Sequence, residues 1–170
     1  MKQHVIGLSA AMALGLALLP GSAASQQKSL KDQLVGTWTI VSWEQVRPDN
    51  SKFRRFGDNP KGVNVFDAIG NFVVLFARPD LPKLASANPS TPTPDEAKAI
   101  VGGAIGYYGT YTVDETAKIV TLRILASSFP NQVGMAQKRT ITSITPDELK
   151  YQNTTVISGG QIYIAMKRAK

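Results

Sequence analysis

The chain contains no Cys and a single His, His4, which lies in an apolar leader. Without thiol or imidazole downstream, Ser-His-Asp and Cys-His nucleophilic arrangements are excluded. The N and S ligands preferred by zinc, copper and haem are missing too, so neither a metal site nor a cofactor is expected. The chemistry that remains rests on carboxylates, phenols and guanidinium groups. Glu44 is the candidate general base, and Tyr107, Tyr108 or Tyr111 the candidate acid, for an isomerase or cyclase working on a lipophilic substrate. Glu44, Arg123 and Arg139 are equally the sparse polar contacts with which an apolar pocket orients a ligand without transforming it. The elements that position these groups decide between the two.

The leader itself is informative. Lys2 precedes an apolar run from Val5 to Leu19, then Pro20-Gly21 and the small residues Ser22-Ala23-Ala24. This is the pattern of a secretory signal peptide over residues 1–24, with cleavage expected after Ala24 and a periplasmic or secreted destination. The run is short for a membrane span, and no second one follows, so stable membrane insertion is not expected after cleavage. A polar tail over 25–33 then leads to one domain over 34–168, long enough for a sizeable core and too short for two. Removing Lys2 from the 19 basic residues leaves 18 against 12 acidic ones, a balance of about +6. The basic residues are scattered, and their one cluster, Lys52-Phe53-Arg54-Arg55, reads as a solvated loop, so no nucleic-acid partner is expected.

Runs rich in Val, Ile, Thr, Tyr and Phe with two-residue alternation mark eight strands, at Val35 to Val46, Gly62 to Asp67, Asn71 to Ala77, Tyr107 to Val113, Ile119 to Leu125, Lys138 to Ile144, Glu148 to Thr154 and Gln161 to Lys167. Their connections alternate in length. The second, fourth and sixth are short and built from turn residues: Asp67-Ala68-Ile69-Gly70, Asp114-Glu115-Thr116-Ala117 and Thr145-Pro146-Asp147. The others are long and rich in Pro, Gly, Ser and Asn. In an antiparallel meander every second connection lies at the same end, so one end is tied off by tight turns and the other is ringed by loops. The expected fold is therefore all-β, an eight-stranded antiparallel up-and-down barrel whose closure removes exposed strand edges. The longest connection, Arg78 to Gly106, holds one short helix: Thr93 and Glu96 form a capping box, Pro94 suits the first helical position, and Gly102-Gly103 end it. It serves either as a lid or as packing against the barrel side.

Gly36-Thr37-Trp38 opens the first strand. On the last strand Ile162, Ile164, Met166 and Arg168 share a face, and that strand must finish at the end where the first begins, which places Arg168 to stack on Trp38. Gly36, Trp38 and Arg168 are thus the expected closure of the barrel floor. Gly-x-Trp resembles the lipocalin pattern, in which the indole closes the bottom of the barrel. A broader resemblance, to the bacterial lipocalin-like domain family, runs through Leu34-Val35-Gly36-Thr37-Trp38, Val41-Ser42-Trp43-Glu44, Phe56-Gly57-Asp58-Asn59-Pro60-Lys61-Gly62, Tyr108-Gly109-Thr110-Tyr111-Thr112-Val113-Asp114, and Ser128-Phe129-Pro130-Asn131 with Gly134 and Arg139. It implies a lipocalin-type barrel and a role with small lipophilic molecules. Many family members look to carry a His in the strand before Phe-Pro-Asn, where this chain reads Val120-Thr121-Leu122-Arg123; any reaction that His serves is absent here.

With Trp38 facing inward, alternation along the first strand puts Ile40, Ser42 and Glu44 inward as well. The expected ligand contacts are Ile40, Ser42, Glu44, Tyr111, Leu122, Arg123, Arg139 and Ile164. The sequence thus reads as an exported protein that binds a small lipophilic molecule inside a β-barrel. The alternatives are the barrel enzyme above and an interaction module with a filled barrel. In the last, Val41 and Trp43, on the face opposite Trp38, need cover from a loop, the helix or a second copy in a homodimer.

Overall fold

Alternation of buried and exposed side chains, broken at three bulges, marks the long strands of the computed structural model, which describes residues 28–153 and 159–170. The expected signal peptide, its cleavage site, the first residues of the tail and Thr154 lie outside the described residues. The strands are β1 (Gly36–Val46), β2 (Lys52–Phe53), β3 (Lys61–Phe66), β4 (Asn71–Ala77), β5 (Ala104–Asp114), β6 (Ile119–Ser127), β7 (Ala136–Ile144), β8 (Glu148–Asn153) and β9 (Gln161–Arg168). All neighbours are antiparallel, in the order β2-β1-β3-β4-β5-β6-β7-β8-β9, and β1 pairs with β9 to close the sheet. Eight long strands form the barrel, while two-residue β2 only extends the upper edge of β1 through Gln45 and Val46.

The tight turns gather at one end. Asp67 Oδ1 accepts from Asn71 N at 2.7 Å, Asp114 Oδ1 from Ala117 N at 2.8 Å, and Thr145 Oγ1 from Glu148 N at 3.0 Å, so each turn's backbone is satisfied by its own polar side chain. The opposite end carries the long connections, including helix α2 (Pro94–Gly103). There the capping box forms: Thr93 Oγ1 accepts from Glu96 N at 3.3 Å, and Thr93 N donates to Glu96 Oε2 at 2.7 Å. The barrel is therefore a cup with a turned floor and a loop-ringed mouth.

The floor is built around Trp38, which is fully buried and donates Nε1–H to Leu34 O at 2.8 Å. The Arg168 guanidinium stacks 4.1 Å from the indole centroid and donates to Val35 O at 3.0 Å, Gln33 O at 2.8 Å and Pro146 O. Gly36 makes this possible. Its φ of +131° is strained for other residues, and a Cβ there would sit 2.7 Å from Arg168 Nη1. The expected tail caps this floor as a helix, α1 (Leu30–Leu34), which buries Leu30 and Leu34. Its first amides, of Leu30 and Lys31, donate to the Glu115 carboxylate at 2.7 and 3.1 Å, an anion at a helix N-terminus.

Three bulges interrupt the ladders. Pairing shifts between Ile40 and Ser42 on β1, where Val41 is unpaired, between Ile124 and Ala126 on β6, where Leu125 is unpaired opposite Tyr108 and Gly109, and between Ile141 and Ser143 on β7, where Thr142 is unpaired. A bulge inserts one unpaired residue and so reverses which face every later residue occupies. The β1 bulge overturns the strict alternation expected there. Ile40 faces in, Val41 and Ser42 both face out, and from that point Trp43 and Gln45 point inward while Glu44 points outward. The energetic reason is plain. Unbroken alternation would expose the Trp43 indole and bury the Glu44 carboxylate, and both are unfavourable.

Candidate site inside the barrel

The inner wall is mostly apolar. Ile40 and Trp43 from β1, Phe72, Val74 and Phe76 from β4, Leu122 and Ile124 from β6, and Ile162, Ile164 and Met166 from β9 are all buried. Among the expected ligand contacts, Ile40, Leu122, Ile164, Tyr111 and Arg139 therefore face inward. Tyr111 belongs to the floor rather than the middle. Its hydroxyl donates to Asp67 O at 2.6 Å, and its ring meets Phe66 edge-on with centroids 5.0 Å apart.

Three expected contacts do not face the interior. Ser42 lies outside because of the β1 bulge, and Arg123 is exposed because it neighbours inward Leu122 on an unbroken part of β6. Glu44 lies on the outer wall, bridged to Lys52 Nζ at 3.0 Å and Arg54 Nη2 at 3.1 Å. Hydrogen bonds from Lys52 and then Arg54 hold its carboxyl below the ordinary carboxylate value. A general base at Glu44 opposite a tyrosine acid inside the barrel is not formed. Nor do Val41 and Trp43 make a shared outer face, since Trp43 is 9% exposed and only Val41, at 44%, remains outside.

Between floor and mouth, the apolar wall is interrupted by a cluster that alternation carries in from four strands, β3, β5, β7 and β8. Arg139 from β7 is 3% exposed. Its Nη2 donates to Gln137 Oε1 at 2.5 Å and to Tyr107 Oη at 3.4 Å, and its Nη1 reaches Lys138 O at 3.4 Å. Tyr151 from β8 is fully enclosed. Burial pushes its phenol well above the ordinary tyrosine value, although hydrogen bonds from Asn64 and Arg139 act the other way. Arg139 Nε, Asn64 Oδ1 and Asn153 Oδ1 are buried without a hydrogen-bond partner among the described residues.

The mouth carries two residues to which the sequence reading gave no site role. Phe56, from the loop after β2, is buried at 1% exposure and packs edge-on to Trp43 and Phe76, with centroids 5.5 and 5.9 Å apart. Arg55 lies over the Phe56 ring and donates to the carbonyls of Gly102, Val101 and Ala104 at 3.0, 3.0 and 3.3 Å. It thereby caps the C-terminal end of α2 and ties the helix to the aromatic plug. A cleft of about 260 Å³ lies beside this tie, lined by Arg55, Ile100, Val101, Ala104, Ser128 and Phe129. The basic cluster of the sequence is therefore divided, with Lys52 and Arg54 on acidic partners and Arg55 on backbone.

Two solved structures are similar in overall shape. A lipocalin-like protein from Bacteroides uniformis is 9% identical, with a TM-score of 0.46 over 81% of this chain and 99% of that one. A redesigned β-barrel is 17% identical, with a TM-score of 0.44 over 86% of this chain and 100% of its own. No curated protein matches the sequence. The model of the lipocalin-like domain family matches residues 35–164, which span the barrel from the start of β1 into β9. The chain belongs to the lipocalin-like domain family.

Proposed function

We propose that the protein binds a small lipophilic molecule inside its barrel and carries it without transforming it. The observation that supports this most directly is the inner wall itself: aliphatic and aromatic side chains surround one buried polar cluster whose hydrogen-bonding capacity is not exhausted. Apolar area supplies affinity, and a few polar groups fix orientation. The leader pattern of residues 1–24 supports an exported carrier, periplasmic or secreted. Native mass spectrometry of the protein purified from its own host, followed by organic extraction, tests the proposal. A retained small lipophile is the expected result; an apo mass from a host extract that holds candidate lipophiles, with no uptake on their addition, overturns it. Intact mass also reads the leader, since export predicts a mature chain beginning at Ser25.

A second reading, self-association, is favoured by the outer wall. Val73, Leu75, Tyr108 and Leu125 are each about half exposed, Val73 pairs with Tyr108, and the four form a patch across β4, β5 and β6. Sedimentation equilibrium tests it: a homodimer that Tyr108→Glu dissociates is expected, and a wild-type monomer at high concentration ends it.

A further inference from the structure

Arg139 has no countercharge. All 12 acidic residues of the sequence lie among the described residues, and none is buried. The carboxylates that form ion pairs are Glu44, Asp58, Asp80 and Glu148, whose cationic partners are all on the outer surface or loops. Arg139 is the only buried charged side chain among the described residues, and the other buried polar residues, Gln45, Asn64, Gln137 and Asn153, are neutral. A guanidinium offers five N–H donors. Here the contact to Gln137 is short, those to Tyr107 and Lys138 are at 3.4 Å, Tyr151 takes a further hydrogen bond, and Nε is unmet. Holding a cation in such surroundings is costly unless an anion joins it.

We propose that the ligand of this barrel is a lipophilic carboxylate, its head seated on Arg139 between Tyr107 and Tyr151 and its tail directed to the mouth. The inference rests on the small-molecule reading above and specifies its chemistry. The planar guanidinium matches a carboxylate, and the two phenols are hydroxyl donors beside it. One cation balances one charge, so a dianionic phosphate head would remain half uncompensated. The tail is directed away from the floor, which is closed by Trp38, Phe66 and Tyr111, towards the end where buried Phe56, Phe76 and Ile105 offer apolar contact.

Displacement of the neutral fluorophore phenylnaphthylamine from the purified protein tests this, using dodecanoate, dodecanol and dodecyl phosphate as competitors. Dodecanoate is expected to compete at least about ten-fold more tightly than dodecanol, the scale of a charge-assisted hydrogen bond. Dodecyl phosphate is expected to be no tighter than dodecanoate. Arg139→Met, which keeps side-chain length and removes charge, is expected to erase the preference, and Arg123→Met on the outer wall to preserve it. Equal competition by dodecanoate and dodecanol on the wild type overturns the anchor and leaves the small-molecule reading standing. So does a preference that survives Arg139→Met, and phosphate as the tightest head overturns the single-charge assignment. If the wild type takes up neither the fluorophore nor any of the amphiphiles, both readings fall. The wild-type comparison decides the matter even if Arg139→Met does not fold.

Discussion

Arg168 and Arg139 present the same side chain in two regions of one barrel, and they are treated oppositely. At the floor, Arg168 has an indole face 4.1 Å away and three backbone carbonyls along its edges. In the interior, Arg139 is more deeply buried, has only neutral partners, and leaves Nε unmet. The backbone is thus able to satisfy a guanidinium where the role is to close the barrel. Leaving another unsatisfied costs stability, and a chain tolerates such a cost where a ligand relieves it.

The largest effect is expected where the floor is broken. Trp38→Ala removes a fully buried indole, the stacking surface of Arg168 and the donor to Leu34 O together. A loss of about 3–5 kcal/mol follows, which lowers the thermal midpoint by roughly 10 °C for a domain of this size. Calorimetry reads it directly. A midpoint within a degree or two of the wild type would mean that the floor is not a unit.

Next come the two arginines, each replaced by Met. Arg168→Met strands the carbonyls of Gln33, Val35 and Pro146 and is expected to cost about 1–3 kcal/mol. Arg139→Met removes a buried charge without countercharge, and the ligand-free protein is expected to stay within about 1 kcal/mol of the wild type or to gain stability. Urea unfolding of both variants sharpens the comparison by its sign. If Arg139→Met costs as much as Arg168→Met, Arg139 is a structural residue and the contrast dissolves.

What the sequence disclosed and what it withheld follow from periodicity. The eight long strands, the capping box at Thr93 and the Gly36, Trp38, Arg168 constellation were legible because alternation, turn chemistry and strand parity all act locally. Arg139 was a candidate contact whose direction the sequence left open; in the structure it is buried in alternation with Gln137 and Ile141. The upper half of β1 was not legible. Nothing in Ile40-Val41-Ser42-Trp43 announces a bulge, and one unpaired residue moved Glu44 out and Trp43 in. Phe56 and Arg55 were missed because a loop has no period, and their roles exist only once α2 and β4 come together across many intervening residues. The Phe56-Gly57 patch that carries the family resemblance was the available signal.

Glu44 supplies the smallest expected effect and a control on the whole assignment. Its carboxyl is held below the ordinary 4.5 by hydrogen bonds from Lys52 and Arg54 on the outer wall. A group whose pKa is depressed by folding adds stability that is present above its unfolded value and lost as pH falls through the folded one. Glu44→Gln is therefore expected to leave a small deficit at neutral pH that shrinks on acidification through and below pH 4.5, as the wild type loses the same contribution. Urea midpoints compared at neutral and acid pH measure that convergence. Because Lys52 and Arg54 are largely solvated, the deficit is screened by salt. Phenylnaphthylamine and dodecanoate affinities are expected to be unchanged in the same variant. A loss of dodecanoate preference on Glu44→Gln would place its carboxylate in communication with the interior, and Arg139 would then no longer be a cation without a counterpart.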